Sequence, residues 1–113
     1  MTKDNLKSWY RFYNKKFFGG ELPDDCDVFW KKPLHRTDAA SLNHYIATGR
    51  PVIYIRPLFY DAEMYFCLLL LHEMIHLLLK VRGRPKRVCA GHGKEFIAEQ
   101  KRLTELGAIH PLW

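Results

Sequence analysis

At 113 residues with 48% hydrophobic, 27% charged and 14% aromatic content, the chain is built for one folded domain. That balance excludes intrinsic disorder, a collagen-like fibre and a disulfide-stapled miniprotein. The formal charge of +6, from 18 Lys+Arg against 12 Asp+Glu, leaves an anionic partner, nucleic acid foremost, or a merely soluble basic surface.

Residues 3–18 are predicted as a helix. Leu6, Tyr10, Tyr13 and Phe17 recur at three- and four-residue spacing, Thr2 is a plausible N-cap, and Gly19-Gly20 stops the pattern. Val28-Phe29-Trp30 reads as a short strand within a turn-rich stretch. Pro51 to Arg56 is the best strand of the chain, β-branched and aromatic, ended by Pro57. Asp61 opens the longest helix, which runs to about Val81 and is apolar nearly all round, the mark of a buried central helix. Gly83 and Pro85 end it, a basic loop follows, and a last helix spans about Gly93 to Leu106. No repeat or linker divides residues 1–113. The expected fold is α+β, a single domain with a small β-sheet packed on three helices.

Cys26, Cys67 and Cys89 are odd in number and widely spaced, with no CxxC pair. This points to a reducing compartment and leaves nothing to build a C-terminal zinc ribbon. The N-terminus carries no signal-peptide apolar region. Met64 to Leu79 is shorter than the ~20 residues of a membrane span and is broken by His72, Glu73 and His76. A soluble intracellular protein of cytoplasm, nucleus or nucleoid, with no membrane partner, is expected.

The central helix reads His72-Glu73-Met74-Ile75-His76. Residues four apart lie above one another, so two imidazoles can reach one ion, and Glu73 falls where its carboxylate meets a water rather than the metal. This is the HExxH arrangement of zinc peptidases. Embedded in leucines on both sides, these polar groups would be buried without a partner unless a metal supplies it. The plainer alternative is core histidines bonded to backbone carbonyls. A catalytic zinc wants a third protein ligand and one open position. His92 follows His76 after fifteen residues and Glu95 after eighteen. His92, between Gly91 and Gly93, is the favoured ligand, and Glu95 suits a capping or supporting role at a helix start. Cys89 is read as an ordinary thiol, and His35, His44 and His110 as surface residues.

Three blocks, Asn14 to Pro23, Leu71 to His76 and Gly91 to Phe96, together resemble the SprT-like metalloprotease domain, the catalytic domain of the Spartan DNA–protein crosslink proteases. The resemblance covers about Asn14 to Leu106. It implies a zincin-like fold with HExxH on the central helix, one catalytic Zn2+ held by His72, His76 and His92, and Glu73 as general base. It also implies DNA-dependent cleavage of proteins bound or crosslinked to DNA, single- or double-stranded, as in DNA repair.

Lys80, Arg82, Arg84, Lys86 and Arg87 fall within eight residues with no interleaved acid, which favours a nucleic-acid contact over a solvated face. Lys3, Lys7, Arg11 and Lys15 repeat every four residues as a second basic face. Trp30 is a base-stacking candidate or core; Tyr54, Tyr60 and Tyr65 are oxyanion candidates or core. Strand 51–56 is open to pairing with a substrate peptide or to an internal position. The competing functional readings are a nucleic-acid-binding module with a structural zinc or lapsed peptidase activity, and a zinc peptidase unrelated to DNA.

Overall fold

Helix α1 (Leu6–Phe17) begins three residues later than its apolar period predicts, because Asn5 and not Thr2 is the cap. Asn5 Oδ1 accepts from the Ser8 backbone N–H at 3.2 Å, which satisfies one of the first-turn donors. The Thr2 carbonyl is used elsewhere, accepting from Trp9 Nε1 at 3.0 Å. In this computed structural model, which describes residues 1–83 and 93–108, α1 lays Leu6, Tyr10, Tyr13 and Phe17 into the core. It ends in a sharp turn at Gly19 and Gly20, whose φ angles of 59° and 76° favour residues without a Cβ. Buried Asn14 clamps the turn. Its Nδ2 donates to the Leu22 carbonyl at 2.9 Å and its Oδ1 accepts from the Leu22 N–H at 3.0 Å.

Three strands follow, β1 (Asp27–Trp30), β2 (Ala40–His44) and β3 (Pro51–Ile55), in the order β1-β3-β2. β1 runs parallel to β3, and β2 runs antiparallel to it through a turn closed by Tyr45 N–H to the Arg50 carbonyl at 2.9 Å. β3, with Val52, Ile53 and Ile55 buried, is therefore internal and already paired on both sides. Among the described residues the edges are β1 and β2, and a peptide cannot be added to β3. A 3-10 turn at Pro57–Phe59 leads into α2 (Glu63–Val81), and α3 (Lys94–Glu105) closes the described chain.

The helices share one core with the sheet. Val28, Ile53, Ile55, Phe66, Leu70, Leu71, Met74, Phe96 and Leu103 belong to it. By length and mean hydropathy, 1.6, α2 could cross a membrane, but half of that window is buried inside the fold. Among the described residues the architecture is a small α+β domain of three helices and a three-stranded sheet.

Candidate active site

Burial separates the faces of α2 that composition leaves alike. From Phe66 to Leu79, the residues that keep solvent contact are Leu68, Leu69, His72, His76 and Leu79, spaced by three and four. That spacing is one face of a helix. The imidazoles are thus half-buried on the open stripe, not sunk in the core as the flanking leucines suggest. The buried polar group is Glu73, only 8% exposed.

The His72 and His76 rings lie 5.2 Å apart, centroid to centroid, and are inclined at 69°. Phe96 of α3 packs on both, at 4.8 Å from His72 and 4.5 Å from His76, and is itself 1% exposed. An aromatic plate therefore restricts the two rings and ties the start of α3 to them. Burial pushes the Glu73 carboxyl up to about 7, and the negative charge of Asp38, just ahead of β2, adds to the rise. Toward the N-terminal end of the same stripe, Ala62, Glu63, Met64, Tyr65 and Leu68 line an open, mainly apolar hollow of about 540 Å³.

Among the described residues no three His, Cys, Asp or Glu side chains form a metal-holding group. His92 and Cys89 lie outside the described residues. Glu95 occupies the first turn of α3, exposed, one residue beyond Lys94.

The basic residues divide. Lys80 is exposed in the last turn of α2, and its charge, after burial, helps hold the His44 imidazole below its usual value. Arg82 is not a cation without acids nearby. Its Nε and Nη2 donate to the Glu21 carboxylate at 2.7 and 2.8 Å, and Nη1 is 3.7 Å from Glu99 Oε2. That bidentate bond holds the Glu21 carboxyl below the usual range. Glu99 also pairs with Arg102 at 2.8 Å, and Arg102 Nη1 donates to the Phe17 carbonyl at 2.7 Å. The network joins the end of α2, α3 and the turn after α1, distances that no sequence window spans. Arg84, Lys86 and Arg87 lie outside the described residues.

The basic row that runs from Lys3 into α1 is largely engaged. Lys3 pairs with Asp61, Lys7 Nζ donates to the Asp24 carbonyl at 2.6 Å, and Arg11 sits 3.4 Å from Asp24 Oδ1. Trp30 is half-buried and packs against the core, donating from Nε1 to the Lys3 carbonyl at 2.7 Å and meeting Phe66 edge-on at 5.2 Å. Tyr60 bonds Asp4, and Tyr54 lies on the sheet face turned away from the core residues. Of the three tyrosines only Tyr65 extends the histidine stripe, stacked on Phe59 at 4.9 Å.

Sequence reasoning missed β2, Phe96 and the Glu21 partner of Arg82. Phe96 carried a signal, since it stands four residues after His92 in the third motif block.

The chain is similar to known proteins. The DNA-dependent metalloprotease dvc-1 of Caenorhabditis elegans is 32% identical over 108 residues, covering 87% of this chain but 27% of that relative. The stretch from α1 through α3 and on to residue 111 is matched by a single family description, SprT-like, over residues 6–111. The chain, clamp, central helix and last helix together, belongs to the SprT-like family.

Proposed function

We propose that this chain is a zinc-dependent endopeptidase domain of zincin-like type, acting on proteins bound or crosslinked to DNA, with DNA as activator. The observation that carries the reading is the pair of half-exposed imidazoles four residues apart on α2, with the buried carboxyl of Glu73 beside them. Neutral nitrogens at that separation suit zinc, which is bound by imidazole in catalytic sites of three protein ligands. His72 and His76 would hold it with His92, which immediately precedes Gly93, the cap residue of the helix whose Phe96 packs on both rings. When bound, zinc supplies Lewis acidity that makes a water acidic near neutral pH.

The chain's own residues do the rest. Glu73 takes the proton from the attacking water at a carboxylate oxygen and hands it to the departing amine. Burial favours this, because a carboxylate pushed toward neutrality is a stronger base than an exposed one. Phe96 keeps the imidazole rings in place. β2 is an edge strand beside α2, and its outer edge suits an extended substrate backbone. The dvc-1 name and the +6 charge support DNA as activator.

The test joins metal analysis to a cleavage assay with and without single-stranded and duplex DNA. Glu73→Gln should keep zinc but lose cleavage by several orders of magnitude. His92→Ala should lose zinc while Glu95→Ala retains it. Zinc retained with no cleavage by the parent protein under any condition would favour a binding module with a structural metal.

A further inference from the structure

The sheet spends only one face on the core. Val28, Trp30, Ile53, Ile55, Ala40 and Leu42 point to the helices. By the alternation of strands, the pairs and triplets between them point outward. The register places Phe29 beside Tyr54 and Tyr54 beside Ser41. One row toward the end of β3, Lys31 and Arg56 take the same outward positions, since Lys31 N–H bonds the Ile55 carbonyl and Arg56 N–H bonds the Ala39 carbonyl at 3.0 and 2.9 Å. The opposite row is closed: Asp27 accepts from Tyr45 Oη at 3.0 Å and pairs with Arg50 at 3.4 Å, above a Val52 only 1% exposed.

What stays open is the Phe29 ring, beside a half-buried Tyr54 that Lys31 overlies. Phe29 is 47% exposed although it sits mid-strand, where packing would ordinarily hide it. Lys31 Nζ lies 4.9 Å from the Tyr54 ring centroid. Arg56 is fixed by bonds to the Asp38 and Arg36 carbonyls at 2.9 and 2.7 Å. Lys32 and Arg36 stand exposed at the same end of the sheet. Flat rings with cations one row away are what an unpaired base and its phosphate require. A duplex, whose bases are already stacked on one another, offers no ring to Phe29.

We propose that the outer face of the sheet, centred on Phe29 with Tyr54, Lys31 and Arg56 beside it, binds single-stranded DNA by base stacking. The inference deepens the DNA part of the function proposed above and is independent of its peptidase part. It places the strand on the face opposite the core, so that DNA and the α2 stripe do not compete for one surface.

Fluorescence anisotropy with labelled oligo-dT, oligo-rU and a duplex of equal length, across a salt series, tests it. The parent protein should prefer oligo-dT. Phe29→Ala should weaken that binding by about five- to a hundredfold, the loss of one stacked base, with the salt slope unchanged. Phe29→Trp should restore it. Lys31→Ser should lower the log–log salt slope by roughly 0.7, the loss of one phosphate contact. Circular dichroism and thermal melting establish that each variant is folded, as substitutions at these exposed positions should be. Oligo-dT affinity unchanged in both folded variants, or a parental preference for duplex or oligo-rU, overturns the proposal. If the parent binds no nucleic acid yet cleaves protein, this inference and DNA activation both fail while the peptidase reading stands.

Discussion

Replacing Glu73 by Gln should make the metal-free protein more stable at neutral pH, the reverse of what deletion of a buried hydrogen-bonding carboxyl normally does. The Glu73 carboxyl is held at about 7, against 4.5 for an ordinary glutamate, chiefly because burial disfavours its charge. Below pH 4.5 both folded and unfolded chains carry it protonated, so the residue is neutral in either state. Between 4.5 and 7 the unfolded chain releases the proton and the folded chain keeps it, so folded stability falls as pH rises. Above 7 the full penalty applies. At about 1.4 kcal/mol per pH unit, the gap amounts to about 3 kcal/mol. Glutamine removes the titration and keeps the shape. Urea unfolding of chelator-treated parent and Glu73→Gln at pH 4, 6 and 8 should therefore give nearly equal stabilities at pH 4. By pH 8 the variant should lead by about 3 kcal/mol. Parallel curves at all three values would show that Glu73 ionises freely in the fold and would remove burial as the source of its basicity.

Two further outcomes follow from the packing. Phe96→Ala should cost about 3–5 kcal/mol, as for a fully buried ring, and should also weaken zinc binding, whereas Leu103→Ala at the far end of α3 should destabilise without changing metal affinity. Equal zinc titrations for the two would show that Phe96 does not position the imidazoles. Asn14→Ala should lose about 2–4 kcal/mol in denaturant titration, because it strands both backbone groups of Leu22 inside the fold; a loss under about 1 kcal/mol would mean that water reaches the clamp.

The helices and the HExxH motif were legible because both rest on local periodicity. Leu6 to Phe17 and the leucine-rich central segment announce themselves in any window of two or three turns. β2 was not legible, since Ala40-Ser41-Leu42-Asn43-His44 has no β-branched residue and becomes a strand only by pairing with β3. The same limit explains the reversed burial of the motif. Leucines on every side of His72, Glu73 and His76 say that the helix is central, but not which strip the neighbouring elements leave uncovered. Arg82 looked free for the same reason: its acids, Glu21 and Glu99, are far away in the chain. Asn14 to Pro23 carried family resemblance as a motif, and its content is structural, a clamped glycine turn rather than chemistry.

The network around Arg82 also has a consequence for how firmly α3 holds the histidine stripe. Arg82 at the end of α2 and Glu99 and Arg102 on α3 are fastened to each other and to the turn after α1. Phe96 fastens the start of α3 to the histidine stripe. The contact of α2 with α3 is therefore braced twice, by charge at the end of α2 and by an aromatic ring at the start of α3. Cutting the Arg82–Glu21–Glu99 fastening would thus loosen α3 like a lever, and the slack would reach His72 and His76 through Phe96 with neither ring altered.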